Sequence, residues 1–144
     1  MAEASARLCL CLTASSLERD LELAERYRRE ADLLELRADF LPPSELASLS
    51  RFPERSGLPV ILTLRRTSDG GRWAGSEADR RRILLRALAE AGSPYAYLDL
   101  EQDCLDAALA RTARERGTHL ILSLIHISEP TRLLSISYAV FCLK

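Results

Sequence analysis

Short apolar runs alternate with segments of helical spacing along most of this chain, and this alternation limits the folds that the chain can adopt. The runs that predict strands are 8–12, 33–40, 58–64, 95–100 and 118–122. The segments that predict helices between them are 17–27, 44–49, 76–91 and 103–116. Repeated strand–helix units with short connections predict parallel strands joined by right-handed crossovers. The predicted fold class is therefore α/β, either a doubly wound sheet or a (β/α)8 barrel.

Helix boundaries are predicted from capping residues. Ser44 and Ser76 are expected N-caps, and Gly117 is the expected C-cap of the helix predicted at 103–116. The helix predicted at 76–91 has apolar residues at helical spacing, opposite the charged row at 79–82. We expect that row to form a solvated face.

Polar residues recur near the ends of the predicted strands, and they indicate where a site would lie. In the segment 33–40 a side-chain period of two places Glu35, Arg37 and Asp39 on one face. A parallel sheet normally buries such a strand, so these charges form either a structural ion pair between Glu35 and Arg37 or a polar pocket. The other polar residues at strand ends are Cys11, Thr13, Arg65, Asp99 and Glu101. This recurrence favours a barrel with a central site, and no Gly-x-Gly-x-x-Gly or Walker sequence supports a nucleotide site.

Charge and composition exclude several kinds of partner. A net charge of −1, from 20 basic and 21 acidic residues, gives no electrostatic basis for binding nucleic acid or an anionic membrane. Residues 1–12 lack the features of a signal peptide, and no apolar run reaches the ~20 residues of a membrane span. We therefore expect a cytoplasmic protein. The 4 cysteines show no metal-ligand spacing, so we predict reduced thiols and no metal.

Several motifs resemble those of the type I 3-dehydroquinate dehydratases. They are Leu-Glu-Leu-Arg-Ala-Asp at 34–39, Pro-Val-Ile-Leu-Thr-Leu-Arg-Arg at 59–66, Ser-Asp-Gly-Gly at 68–71, Gly-Ser-Glu at 75–77 and Tyr-Leu-Asp-Leu-Glu at 97–101. The resemblance covers residues 7–121 and implies an incomplete (β/α)8 TIM barrel with nearly five strands. It also implies a lyase of the shikimate pathway that converts 3-dehydroquinate to 3-dehydroshikimate without a metal or a nucleotide cofactor.

The resemblance also implies roles for individual residues. Glu35, Arg37 and Arg65 match the substrate-binding residues of the family, and Cys11 stands where many members have a serine. Asp69 matches an acidic partner of the catalytic histidine, although Asp69-Gly70-Gly71 alone would be only a turn. Arg66 points away from Arg65 on a strand, so we place it outside the site. Asp99 and Glu101 share a predicted strand face, either as pocket residues or as polar filling of the barrel interior.

The catalytic groups of the family are missing from this sequence. Its mechanism needs a Schiff-base lysine and a histidine in a Ser-x-His-Asp/Asn-Phe segment. Ser123 matches the serine, but Ile125 occupies the histidine position, and neither His126 nor His119 replaces it. The only lysine is Lys144, the final residue. We therefore predict that this chain is inactive.

The sequence after about residue 121 differs in character from the rest. Residues 122–132 and 136–143 resemble translated sequencing-library adapter and primer, which predicts a non-native tail at 122–144. A real C-terminal helix or strand is the alternative. A barrel truncated there would leave both end strands with open edges, so we do not expect a stable monomer. The first functional interpretation is a fragment of a dehydratase whose parent is a homodimer or is fused to shikimate dehydrogenase. The second is a non-catalytic module that binds small acids or dimerises.

Overall fold

One sheet of six strands organises the fold. The computed structural model describes residues 5–124 and 139–143. The strands follow one another in chain order across the sheet. They are β1 (Cys9–Leu12), β2 (Leu33–Arg37), β3 (Val60–Thr63), β4 (Tyr97–Glu101), β5 (His119–Leu124) and β6 (Ala139–Leu143). The pairs from β1 to β5 are all parallel, which confirms the predicted α/β class.

Five α-helices connect or precede the strands of the sheet. They are α1 (Leu17–Arg26), α2 (Pro43–Leu46), α3 (Phe52–Ser56), α4 (Glu77–Ala89) and α5 (Ala107–Glu115). Three of them begin at a side chain that accepts a hydrogen bond from the backbone of the first turn: Ser16 for α1, Ser76 for α4 and Asp106 for α5. Gly117 follows α5 in the left-handed conformation, with φ of 71°, as its predicted role requires.

The hydrophobic core lies between the helices and one face of the sheet. Leu34 and Leu36 of β2, Leu62 of β3 and Leu98 of β4 are fully buried on this face. The opposite face carries Glu35, Arg37, Thr63 and Asp99, and among these Arg37, Thr63 and Asp99 are register partners across β2, β3 and β4. The alternation therefore gives the sheet one apolar face and one more polar face.

The structure corrects the predicted N-cap of the short helix after β2. Ser44 lies inside α2, which has Pro42 at its N-cap position and Pro43 as its first residue. Proline is favoured in the first helical turn because no backbone N–H is required there. Helix α3, which begins at Phe52 and also has a proline in its first turn, was not predicted from the sequence.

Helix α4 departs most from expectation. Arg80 belongs to the charged row predicted to be solvated, yet only 2% of its surface is exposed. It lies four residues before Leu84 and seven before Ala87, both buried, so helical spacing places it on the inner face of α4. Arg81 and Arg82 of the same row have exposed side chains, as predicted.

The two edges of the sheet differ. Strand β1 pairs only with β2 within the described residues, and the preceding Leu8 is 57% exposed. This edge is open, as expected. The outer edge of β5 is covered by β6, so the prediction that β5 would be left open is wrong. β6 runs antiparallel to β5, unlike the parallel strands of a (β/α)8 barrel.

Candidate active site

A cluster of polar side chains lies at the carboxyl ends of β2 to β5, on the more polar face of the sheet. We call Glu35, Thr63, Arg65, Asp99 and Ser123 the polar cluster. The Thr63 hydroxyl donates to Glu35 Oε1 at 2.9 Å. Arg65 forms an ion pair with Asp99, and the Ser123 hydroxyl donates to the same carboxylate. Four neighbouring strands are thereby joined through their side chains.

Arg65 keeps a free donor within this cluster. Its Nη2 donates to Asp99 and lies 3.4 Å from Ser123 Oγ. Its Nε is buried and has no hydrogen-bond partner in the described part of the chain. A buried N–H without a partner costs free energy, and such groups are rare in folded proteins. The described residues therefore leave the hydrogen bonding of this guanidinium incomplete.

Arg37 lies on the same strand face as Glu35, but its partner is not the one expected. It donates to Asp39 through two nitrogens, at 3.0 and 2.8 Å. The ion pair with Glu35, one of the two alternatives that the sequence left open, is not observed, because β2 ends at Arg37 and a 3-10 turn carries Asp39 back toward the guanidinium. Asp39 is thus not on the strand face where the sequence placed it. This hydrogen bond, with the nearby charge, raises the pKa of Arg37, so its positive charge is secure.

The loop between β3 and α4 supports both arginines. Its Arg72 N–H donates to Asp39 at 3.0 Å, so it fixes the carboxylate that holds Arg37. Its Trp73 N–H donates to the carbonyl of Arg65 at 3.0 Å. At Gly71 a Cβ would overlap the backbone of Arg65, so only glycine allows the loop to pack this closely.

Cys11 occupies the edge of this face on β1, directly beside Glu35 in the register. Cys11 is exposed, but partial desolvation of its thiol, followed by the charge of Glu35 and a hydrogen bond to it, raises the pKa of the thiol to about 11. The thiol is therefore protonated at neutral pH. It can donate a weak hydrogen bond.

Two of the predicted site residues lie elsewhere. Asp69 accepts a hydrogen bond from Arg66 Nε at 2.6 Å, and Arg66 also pairs with Asp103. Asp69 therefore lies with Arg66, the arginine that the sequence places outside the site. The Ile125 and His126 positions lie outside the described residues.

Glu101 is the second exception, because its partner is Arg80 and its carboxylate makes no hydrogen bond with the polar cluster among the described residues. We call Arg80 and Glu101 the outer pair. Arg80 Nη2 donates to Glu101 at 2.8 Å, and both side chains are buried. Glu101 is the last residue of β4, where its side chain meets Arg80 as it arrives from α4. Burial opposes the charged form of Arg80, but the charge of Glu101 and its hydrogen bond raise the pKa of Arg80 overall.

Thr63 and Arg80 contribute contacts that the sequence analysis missed. Thr63 is two residues before Arg65, so strand periodicity alone places both on one face. Arg80 had a comparable signal in its helical spacing to Leu84. His119, expected at the surface or in packing, is exposed at the start of β5, and its ring lies 5.7 Å from that of Tyr97.

No grouping of His, Cys, Asp and Glu suited to a metal ion occurs within residues 5–124 and 139–143. Over the same residues, no helix is long and apolar enough to cross a membrane.

These features define a class of protein: an α/β barrel-type sheet with a polar site at the carboxyl ends of its parallel strands. The fold is similar to that of 3-dehydroquinate dehydratase from Enterococcus faecalis, with a TM-score of 0.73 at 21% identity, covering 83% of this chain and 53% of that one.

The family follows from the sequence comparison. The model of the family described as type I 3-dehydroquinase matches residues 8–135, so this chain belongs to the type I 3-dehydroquinase family. The match ends beyond the tail boundary predicted at 121. A 3-dehydroquinate dehydratase of Methanosarcina barkeri is 33% identical over 121 residues, which are 78% of this chain and 49% of that protein. The chain thus spans about half the length of this relative. A bifunctional 3-dehydroquinate dehydratase/shikimate dehydrogenase of Arabidopsis thaliana is 31% identical over 96 residues, 65% of this chain and 16% of that protein.

Proposed function

We propose that this chain is the N-terminal part of a 3-dehydroquinate dehydratase and that its polar cluster, with Arg37 and Cys11, forms part of the 3-dehydroquinate site. The observation that carries the proposal is Arg65. Its guanidinium is oriented by Asp99 and Ser123, while its Nε remains buried without a partner in the described chain. The Arg65 side chain is 15% exposed, so the accessible part of its guanidinium is open to a hydroxyl or carboxylate oxygen of a small acid.

Each residue has a distinct task in this proposal. Arg65 and Arg37 bind the oxygens of the substrate with fixed planar donors, each held by its own aspartate. Glu35 accepts hydrogen bonds from substrate hydroxyls, and Thr63 fixes its orientation. Cys11 donates weakly from its protonated thiol. These groups bind and orient the substrate, and none of them is the nucleophile.

The chemical steps belong to groups of the parent protein that are absent here. A lysine would form a Schiff base with the ketone of 3-dehydroquinate, and a histidine would transfer the proton as water leaves. Asp69 would orient that histidine only after turning from Arg66 toward the polar cluster, because in the structure it accepts from Arg66 outside that cluster. We therefore propose that residues 1–144 bind the substrate without dehydrating it. The parent would be a cytoplasmic homodimer or a fusion with shikimate dehydrogenase, and it would need no metal.

We also propose that residues from about 122 onward are a non-native tail, in which Ser123 coincides with the serine that the family segment itself has at this position. The change in composition and the resemblance to adapter sequence support this, and so does the antiparallel β6 where a barrel has a parallel strand. The native frame would then resume near Ser123 with Ser-x-His-Asp/Asn-Phe and would place a lysine ~25–30 residues further on, as the length of one βα unit requires. Resequencing the locus tests this. A frame that truly encodes Ile125 to Lys144 would contradict it.

The experiment for the site uses this chain and 3-dehydroquinate. Arg65→Ala should weaken binding by the ~1.5–3 kcal/mol of a charged hydrogen bond, as measured by NMR titration. Arg55→Ala is the matched control, because Arg55 forms only an exposed ion pair with Glu18 and lies on α3. Turnover should be undetectable in every variant. Equal affinity of the Arg65 variant and the wild type would remove Arg65 from the site, and dehydration by residues 1–144 would refute the inactive fragment.

A further inference from the structure

The outer pair connects the ends of the two strands that carry the proposed substrate-binding arginine and its aspartate. Arg80 Nη1 donates to the carbonyl of Leu64 at 2.6 Å, and its Nη2 donates to Glu101 at 2.8 Å. Leu64 immediately precedes Arg65, and Glu101 lies two residues after Asp99. One buried guanidinium therefore contacts β3 and β4 just beside the Arg65–Asp99 ion pair.

Several hydrogen bonds fix the position of the Arg80 guanidinium. All three of its guanidinium nitrogens have partners, since Nε and Nη2 also lie 3.3 Å from Glu77. The residue begins the second turn of α4, whose N-terminus is capped by Ser76. Such a group cannot adjust to movement of the strands without losing hydrogen bonds in a buried setting.

Stability alone does not account for this pair. Burying an arginine and a carboxylate costs desolvation energy, and apolar residues of similar size often stabilise a protein equally well. An ion pair that spans two strand ends provides something that apolar packing does not, which is a fixed distance and orientation between named backbone groups.

We propose that Arg80 is a positioning residue for the substrate site, which sets Arg65 and Asp99 in register through Leu64 and Glu101. Arg80 itself does not touch the substrate. This inference rests on the proposed binding of 3-dehydroquinate. The expected effect of Arg80 on the position of Arg65 does not depend on that binding.

The test follows Arg65 directly in the full chain. Its Nε–Hε resonance is observed in 15N-labelled protein, and 3-dehydroquinate is titrated as the probe. Arg80→Met should move this resonance and weaken binding about tenfold or more, since small misplacements of a binding group are costly. Arg80→Lys should recover part of the affinity, because one amine replaces only one of the two contacts.

Two further variants keep the test decisive. Arg80→Met with Glu101→Leu avoids a buried unpaired charge, so it reports on position even if the single variant does not fold. Arg86→Met is the control, because it removes an exposed ion pair with Glu90 on the same helix. An unmoved Arg65 resonance and unchanged affinity in the folded double variant would overturn the proposal. If the wild type does not bind 3-dehydroquinate, the proposed function fails, and the Arg65 resonance alone decides whether Arg80 positions it.

Discussion

The polar cluster and the outer pair place an arginine beside a carboxylate at neighbouring strand ends, yet they differ in how completely their donors are satisfied. Arg80 and Glu101 have side chains that are 2% and 7% exposed, and every guanidinium nitrogen of Arg80 has a partner. Arg65 and Asp99 are 15% and 10% exposed, and Arg65 Nε has none among the described residues. A complete network holds structure together, whereas an incomplete one leaves capacity for a ligand.

The largest predicted effect tests the completeness of the outer pair. Glu101→Ala should lower the free energy of unfolding by about 3–5 kcal/mol, because it leaves a buried guanidinium without its main counter-charge. Asp99→Ala should cost less, since Arg65 retains Ser123 and partial contact with water. Urea unfolding of both variants measures the difference. Equal losses would mean that the two pairs are alike and that the incomplete one has no special role.

Much of this comparison could be predicted from the sequence. Strand periodicity places Glu35, Arg37 and Asp99 on one face, and the family motifs single out Arg65. What the sequence could not reveal is the choice of partner. Arg37 pairs with Asp39 because the strand ends between them. Glu101 pairs with Arg80 because the Arg80 side chain extends from α4 to the carboxyl end of β4. Both outcomes depend on tertiary geometry that local spacing does not encode.

Arg80 shows a different limitation. A run of charges on a helix normally faces solvent, so the sequence predicts one solvated face over 79–82. The helical period assigns each residue to its own direction, and by that measure Arg80 belongs with Leu84 and Ala87. A charged residue at an apolar position is a signal for a buried ion pair, provided that an acid lies nearby in the fold.

A smaller effect should come from the loop between β3 and α4, which supports Arg65 of the polar cluster and not the outer pair. Gly71→Ala places a Cβ into the backbone of Arg65, so the loop must shift. We expect a loss of about 1–3 kcal/mol in the free energy of unfolding, as for other overpacked sites. Binding of 3-dehydroquinate should weaken as well.

Gly70→Ala is the matched control for this loop. Gly70 has φ of 81° but open space around its Cα, so its substitution costs only the backbone strain of about 1 kcal/mol. It should leave binding unchanged. If both variants weaken binding equally, loop strain rather than the contact with Arg65 is responsible.

The smallest effect concerns two thiols, one beside each region. Cys11 lies next to Glu35, and Cys104 lies near Glu77 and the outer pair; burial is the main cause that raises the pKa of each thiol to about 11. Since the thiolate is the reactive form, alkylation should be slow at neutral pH and should accelerate as pH rises toward 11.

Glu35→Gln removes a negative charge that disfavours the Cys11 thiolate, so the pKa of Cys11 should fall. Its alkylation at pH 8 should then become several-fold faster, while that of Cys104 stays constant. Mass spectrometry of iodoacetamide-labelled peptides across a pH series measures both rates in one sample. A parallel acceleration at Cys104 would show that the substitution loosened the whole sheet, and an unchanged Cys11 rate would separate Glu35 from Cys11.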